Sequence, residues 1–185
     1  MRIISGKYKG YRLKQPHFEP TRPTTDFAKE ALFNVINNYF NFNNLSILDL
    51  FAGTGAISYE FLSRGAQEVT SVEIHRKCIE FIKQTSRHLN FSGHHIIQAD
   101  VFQFLQLQKK TYDIIFAGPP YALPELPQLP DIIFEKQLVE GEGWFILEHN
   151  PQYSFDLHPH FWKQREYGTT IFSIFMNQPQ GYDER

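Results

Sequence analysis

The chain has 185 residues, a formal net charge of −2, 42% hydrophobic, 21% charged and 16% aromatic side chains. This composition excludes a disordered, collagen-like or coiled-coil chain, and no apolar run approaches the ~20 residues of a membrane-spanning helix. The length suits one globular domain with a short appendage, able to bury roughly 70% of its unfolded surface without staples.

The opening Met1–Lys7 lacks an apolar core of signal-peptide length. The one cysteine, Cys78, cannot form an internal disulfide, which fits a reducing compartment and a cytoplasmic protein. Charge is unevenly placed: residues 1–22 carry +5 and the remaining 163 carry −7. Lys7, Lys9, Arg12, Lys14 and Arg22 make that segment a basic arm suited to a polyanion. Charge alone leaves open a solvated basic hairpin that binds nothing. Gly6, Gly10 and the alternation from Tyr8 to Lys14 suggest short β structure.

Pro16, Pro20 and Pro23 mark a linker over residues 15–24. A helix follows, with Thr25 or Asp26 as N-cap. Its apolar stripe is Phe27, Ala28, Ala31, Leu32, Val35, Ile36, Tyr39 and Phe40, and Asn41, Asn43 and Asn44 end it. Strands and helices then alternate. Ser46–Phe51 reads as a strand, Ala56–Arg64 as a helix, Val69–Glu73 as a strand and Arg76–Asn90 as a helix. His94–Ala99 is a third strand, Val101–Gln108 a short helix and Tyr112–Ala117 a fourth strand. Leu126–Gln137 is a helix with Pro127 and Pro130 at its start, and Gly143–Glu148 a fifth strand. Phe155–Trp162 and Thr169–Phe175 form a last antiparallel pair. The alternation predicts a parallel α/β sheet covered on both faces with right-handed crossovers.

In such a sheet ligands bind at the carboxyl ends of the strands. The unusual residues collect there: Asp49-Leu50-Phe51-Ala52-Gly53-Thr54-Gly55-Ala56, then Glu73, Asp100 and Gly118-Pro119-Pro120-Tyr121. Gly53 and Gly55 let backbone approach a ligand. The run is not a dinucleotide fingerprint, because position 58 is Ser58. Asp49 lies in an apolar strand, where a cationic ligand would offset its burial; those apolar neighbours speak against a turn-capping role. Glu73 stands 20 residues after Gly53, the spacing of an acid that accepts from a ribose diol. Asp100 can accept from an adenine amine, cap a helix, or both. Together they describe a nucleoside with a positive tail and no pyrophosphate, the parts of S-adenosylmethionine. His94-His95 and His158-Pro159-His160 lack a spaced Cys/His set, so they read as solvated histidines and no metal is expected. Thr24 suits a place at the ligand entrance, an RNA contact or the helix start. Glu148-His149-Asn150 reads equally as polar support for the site or as plain loop.

The segments Arg22-Pro23-Thr24-Thr25-Asp26, Glu30-Ala31-Leu32-Phe33-Asn34 and Asp49–Ala56, with Met1–Gly10 and Ser63-Arg64-Gly65-Ala66, closely resemble the RsmD-like family of bacterial 16S ribosomal RNA (guanine-N2) methyltransferases. The resemblance implies a Rossmann-like seven-stranded class I methyltransferase fold over residues 23–185, with an N-terminal β-hairpin over 1–22. It implies S-adenosylmethionine held at Asp49, Phe51, Ala52, Gly53 and Gly55 (methionine part), Glu73 (ribose) and Asp100 (adenine). It implies ribosomal RNA or the small ribosomal subunit as partner, no membrane, and a monomer. The target base would sit over Pro119, Pro120 and Tyr121.

One position departs from the family: its Asp-Pro-Pro-Tyr or Asp-Pro-Pro-Phe stands here as Gly118-Pro119-Pro120-Tyr121. The acid at the first position accepts a hydrogen bond from the target amine. Losing a bond to a charged group costs ~1.5–3 kcal/mol, roughly 10–150-fold in rate. Gly118 therefore predicts slowed transfer that Gly118→Asp would raise, unless water or an acid such as Glu125 stands in. Two alternatives follow, a non-catalytic ribosomal-RNA-binding or assembly factor and an adenine-N6 DNA methyltransferase.

Overall fold

Short apolar segments alternating with amphipathic helices assemble, in a computed structural model that describes residues 1–14 and 24–179, into one seven-stranded sheet. The elements are α1 (Asp26–Asn37), β1 (Ser46–Leu50), α2 (Ala56–Ser63), β2 (Glu68–Glu73), α3 (Arg76–His88), β3 (His94–Gln98), α4 (Val101–Leu107) and β4 (Tyr112–Ala117). After a 3-10 turn at Leu126–Gln128 come α5 (Leu129–Glu135), β5 (Val139–His149), β6 (Phe161–Tyr167) and β7 (Thr170–Phe175). The strand order is β3-β2-β1-β4-β5-β7-β6. β1 through β5 pair in parallel, and β7 runs antiparallel to β5 and β6. This is the Rossmann-like α/β fold that the sequence implies.

Parallel neighbours require crossovers, and the general rule for such connections is a right-handed one. Stepping outward from β1 to β3 places α2 and α3 on one face. Returning across β1 to β4 places α4 and α5 on the other. The core divides accordingly. Ile47, Ile114, Trp144 and Phe172 pack under Leu32 and Phe33 of α1 and Ile57 and Phe61 of α2. Leu48, Leu50, Ile115 and Phe145 pack under Leu105 of α4 and Ile133 of α5.

Several features differ from expectation, and among them β5 begins at Val139 rather than Gly143. The first helix stops at Asn37, and Tyr39 and Phe40 leave it to pack on Trp144. Phe27 is 71% exposed, while Lys29 and Phe33 take places on the buried stripe. Two prolines split the expected 126–137 helix into a 3-10 turn and α5, since each lacks an N–H and tolerates only a first turn. The last pair starts at Phe161 rather than Phe155, because Phe155 packs from a loop against His149 and Phe175. The proposed linker prolines lie outside the described residues.

The arm folds back on itself through an antiparallel Arg2–Arg12 bridge, flanked by Ile3 N–H to Tyr11 C=O (3.0 Å) and Gly10 N–H to Ile3 C=O (2.8 Å). Ile3 and Leu13 bury against Tyr59 of α2 and Ile82 of α3. Gly6 (φ +84°) passes so close to α2 that a Cβ would stand 1.9 Å from the Ser63 carbonyl oxygen. Glu60 is the anchor. Its buried carboxylate accepts from the Ile4 and Ser5 N–H groups (2.9 and 3.1 Å) and from Arg64 Nε (2.9 Å), and it faces Lys29 Nζ at 3.5 Å. Lys29 also donates to the Arg2 carbonyl (2.6 Å), and burial lowers its pKa from the ordinary lysine value against the pull of Glu60.

Removing one partner of a buried ion pair strands the other, at about 3–5 kcal/mol. Glu60→Ala should therefore lower the melting temperature by about 10 °C and expose residues 1–14 to protease. A shift below about 2 °C, with the arm still protected, would show that Glu60 does not anchor it.

Candidate active site

Immediately after β1 the backbone turns sharply. Phe51, Gly53 and Gly55 all have positive φ (59°, 56° and 88°). A side chain at Gly55 would collide with the Tyr59 ring, 2.6 Å from its Cζ. A left-handed Phe51 is strained, the kind of conformation that structures hold at functional sites. Glu73, at the end of β2, fastens this turn. Its buried carboxylate accepts from Gly53 N–H (2.8 Å) and from His75 N–H (2.9 Å), joining the turns that follow β1 and β2.

Asp49 corrects the expectation about capping. It is 1% exposed and accepts from both the backbone N–H and the hydroxyl of Ser58, the latter at 2.5 Å. Ser58 lies in the first turn of α2, whose N-cap Gly55 offers no side-chain cap. Asp49 thus caps α2 from the strand beneath, so its burial is offset internally. Burial pushes its pKa up to about 7, against the Ser58 hydrogen bonds. The polar chain continues from Ser58 Oγ to Ser71 Oγ (2.6 Å), to His94 Nε2 (2.7 Å), and from His94 Nδ1 to Ser86 Oγ (3.2 Å). His94 is therefore not a solvated histidine, and burial lowers its pKa to about 4. His158 and His160 are packed too, on Asp131 and on Phe134. Among the described residues no His/Cys/Asp/Glu group could hold a metal ion.

Asp100 caps α4 by accepting from Gln103 N–H at 3.0 Å. The β3 end lies against the β2 end through Ala99 N–H to Glu73 C=O (3.1 Å). Directly after Glu73, Ile74 is 52% exposed, and Phe51 meets Phe102 edge-on at 6.3 Å. The sequence did not single out Ile74 or Phe102, which lie at these strand ends; the signal for Ile74 was an apolar residue directly after the strand-end acid.

Beside β1, β4 ends in the Gly118–Tyr121 turn, held by Gly118 N–H to Leu50 C=O at 3.2 Å. Pro119 is buried and Tyr121 half-buried. The Tyr121 hydroxyl donates to Glu148 Oε1 (2.9 Å), and its carbonyl accepts from Tyr153 Oη (3.1 Å). Thr24 Oγ1 donates to Glu148 Oε2 at 2.5 Å. Glu148, near the end of β5, is thus part of the site, whereas Glu125 stands exposed before the 3-10 turn.

The strand order sets the two halves side by side: the glycine turn with Glu73 and Asp100, and the Pro-Pro-Tyr turn with Glu148. Carboxylates beside exposed apolar side chains can hold a nucleoside, and a Pro-Pro-aromatic turn offers a flat face. Lys7, Lys9, Arg12 and Lys14 are all exposed but do not join this cluster. The stem of the arm reaches the glycine turn through Met1 Sδ and Thr54 Oγ1 (4.0 Å), and its tip reaches Ser63 through Lys7 N–H (2.7 Å). Arg22 lies outside the described residues.

A family model described as "Conserved hypothetical protein 95" matches residues 1–176. A ribosomal RNA small subunit methyltransferase D from Buchnera aphidicola subsp. Baizongia pistaciae is 33% identical over 181 residues, covering 96% of this chain and 92% of its own. The Escherichia coli (strain K12) protein of the same name is 25% identical over 184 residues, with 98% and 92% coverage. A solved hypothetical protein of Thermus thermophilus superposes with a TM-score of 0.84 at 28% identity, over 95% of this chain and 99% of that one.

A carboxyl raised to about 7 from 3.8 holds its proton longer in the folded than in the unfolded state. It therefore favours folding at low pH, and that contribution is lost as pH rises from about 4 through 7. Asp49→Asn, which keeps an acceptor for Ser58, should gain melting temperature relative to wild type over that interval. A constant difference from pH 4 to 8 would exclude the raised pKa.

Proposed function

The chain belongs to the conserved hypothetical protein 95 family, and from that premise we propose that it transfers a methyl group from S-adenosylmethionine to the exocyclic N2 of a guanine in small-subunit ribosomal RNA. The carrying observation is the hydrogen bond from Gly118 N–H to Leu50 C=O, which sets a Pro-Pro-Tyr turn beside a cradle of nucleoside-binding character.

The strand ends suit this cofactor. Phe51, Ala52, Gly53 and Gly55 would border its methionine part, with Asp49 acting through the start of α2. Glu73, Asp100 and exposed Ile74 would hold the adenosine. Bound there, the sulfonium supplies an electrophilic methyl group, so the protein needs no metal and no strong base. The chain's remaining task is the nucleophile. An exocyclic amine shares its lone pair with the base, and acceptors on its N–H bonds return that pair to nitrogen. The Pro119 carbonyl is one such acceptor. The Tyr121 ring, positioned by Glu148 and Tyr153, stacks on an unpaired base, as base-modifying enzymes require.

The arm supplies the phosphate contacts. It runs from Thr54, just before α2, to Ser63 at the end of that helix, which is about 12 Å long at helical rise, and carries exposed Lys7, Lys9, Arg12 and Lys14; Arg22 continues the same basic segment. On this reading residues 1–22 are an RNA-binding arm and 23–185 the catalytic domain. The protein works as a monomer in the cytoplasm on ribosomal RNA or the small subunit. Among the described residues no helix is long and apolar enough to cross a membrane.

Radiolabelled methyl transfer to small ribosomal subunits, free 16S RNA and DNA decides the substrate. The expected product is N2-methylguanosine after nucleoside digestion. Label in DNA adenine, or cofactor binding without turnover, would favour the DNA methyltransferase or the assembly factor instead. Tyr121→Ala should lower turnover about 5–150-fold, the worth of one base stack, at unchanged cofactor affinity; equal losses of both would assign Tyr121 to packing. RNA affinity should fall with salt at a log–log slope of about −3 if the four exposed cations meet single-stranded phosphates, and a flat dependence would remove the arm from the interface.

A further inference from the structure

The glycine at 118 removes the side chain that, in the family pattern, accepts from the target amine. The space it leaves faces another acid. A Cβ built on Gly118 would stand 3.8 Å from Glu148 Oε2 and 3.2 Å from Phe116 Cε1. Glu148 lies at the rim of the volume an aspartate at 118 would fill. It comes from the neighbouring parallel strand, in register beside β4. The carboxylate is gripped from both sides, by Thr24 Oγ1 at Oε2 and by the Tyr121 hydroxyl at Oε1, and is 6% exposed. A carboxylate held in place by two hydroxyls spends no reorganisation on a charge that develops beside it. The same Glu148 accepts from the Tyr121 hydroxyl, so the group that fixes the stacking platform also borders the space beside Gly118.

We propose that Glu148 is a catalytic residue of this chain, taking over from β5 the acceptor role that Gly118 cannot fill. The inference rests on the methyltransferase reading. In the step, one N–H of the guanine amine bonds to Glu148 while the nitrogen lone pair forms the new N–C bond. The C–S bond breaks with its electron pair left on sulfur as a neutral thioether. The extra proton on nitrogen passes to Glu148 and then to water. The glycine is thus a relocation of the acceptor and not its loss. An aspartate added at 118 would crowd Phe116 and set a second negative charge against Glu148, which revises the gain expected from Gly118→Asp in the native background.

The test compares wild type, Glu148→Gln, Gly118→Asp and the double variant on small ribosomal subunits. Melting temperature and calorimetric cofactor affinity are read beside kcat. Glutamine keeps an acceptor for Tyr121 and can donate to Thr24, so the fold should hold. The expected result is a kcat loss on the order of 10²–10³-fold for Glu148→Gln, with melting temperature and cofactor affinity unchanged. Gly118→Asp alone should gain nothing, yet should recover at least about tenfold of the loss in the Glu148→Gln background, which a merely structural role for Glu148 would not allow. The proposal is overturned by near-native turnover in Glu148→Gln. It is equally overturned if turnover, stability and cofactor affinity fall together, or if a folded, cofactor-binding double variant shows no recovery. A wild-type protein that binds the cofactor but methylates no RNA overturns the methyltransferase reading itself. An active wild type with an indifferent Glu148→Gln overturns this assignment alone.

Discussion

Winding reverses at β1, and the site exists because of that reversal. β2 lies on one side of β1 and β4 on the other, so the chain leaves β1 for one face and arrives at β4 from the opposite one. The turns at their carboxyl ends diverge and leave a crevice. Below the crevice the ladder is closed, as Gly118 N–H to Leu50 C=O shows. Above it, one wall comes from β1, β2 and β3 and the other from β4 and β5. A two-substrate reaction needs two walls of different chemistry within reach of each other, and this order provides them without a second domain.

Three buried acids border that crevice, each kept there by a different set of donors. Asp49 is held by Ser58 at the start of α2, Glu73 by two backbone N–H groups, and Glu148 by two hydroxyls. Asp49 spends its carboxyl on the start of α2, whereas Glu73 and Glu148 hold the turns that a ligand would meet. The arrangement also makes the mouth acidic, unhelpful for a polyanionic substrate. The basic segment answers this: it carries +5 where the rest of the chain carries −7, and its stem touches the glycine turn. Phosphates can be gathered on the arm while a single base is presented to the acidic crevice.

That division of labour depends on Glu60. Among its described residues the arm has one β-bridge of its own, too little to fix its direction. Its course along α2 comes from Glu60, which accepts two arm N–H groups while facing Lys29 and bonded to Arg64. A buried hub of this kind adds little net stability compared with apolar packing. It does specify one register, because an arm shifted by one residue would leave a carboxylate and backbone donors unpaired.

Much of this was legible in the residues themselves. Apolar runs of five or six, bounded by Gly and Asn, marked β1 through β4 to within a residue or two. The glycines of the first turn and the N-caps Thr25 and Asp100 were readable because turn and cap chemistry acts over two to four positions. The relations that give the site its character were not readable. Glu148 reaches the space beside Gly118 from 30 positions away, Thr24 reaches Glu148 from 124 positions away, and Ser71 links Ser58 to His94. The Asp49 cap escaped for the same reason, since its partner lies nine residues on, past a turn whose direction only the packed helix settles. Local sequence determines which backbone torsions and which buried face a segment prefers. Strand order, crossover hand and register decide which of those faces meet, and these are properties of the whole sheet that no short window of residues contains.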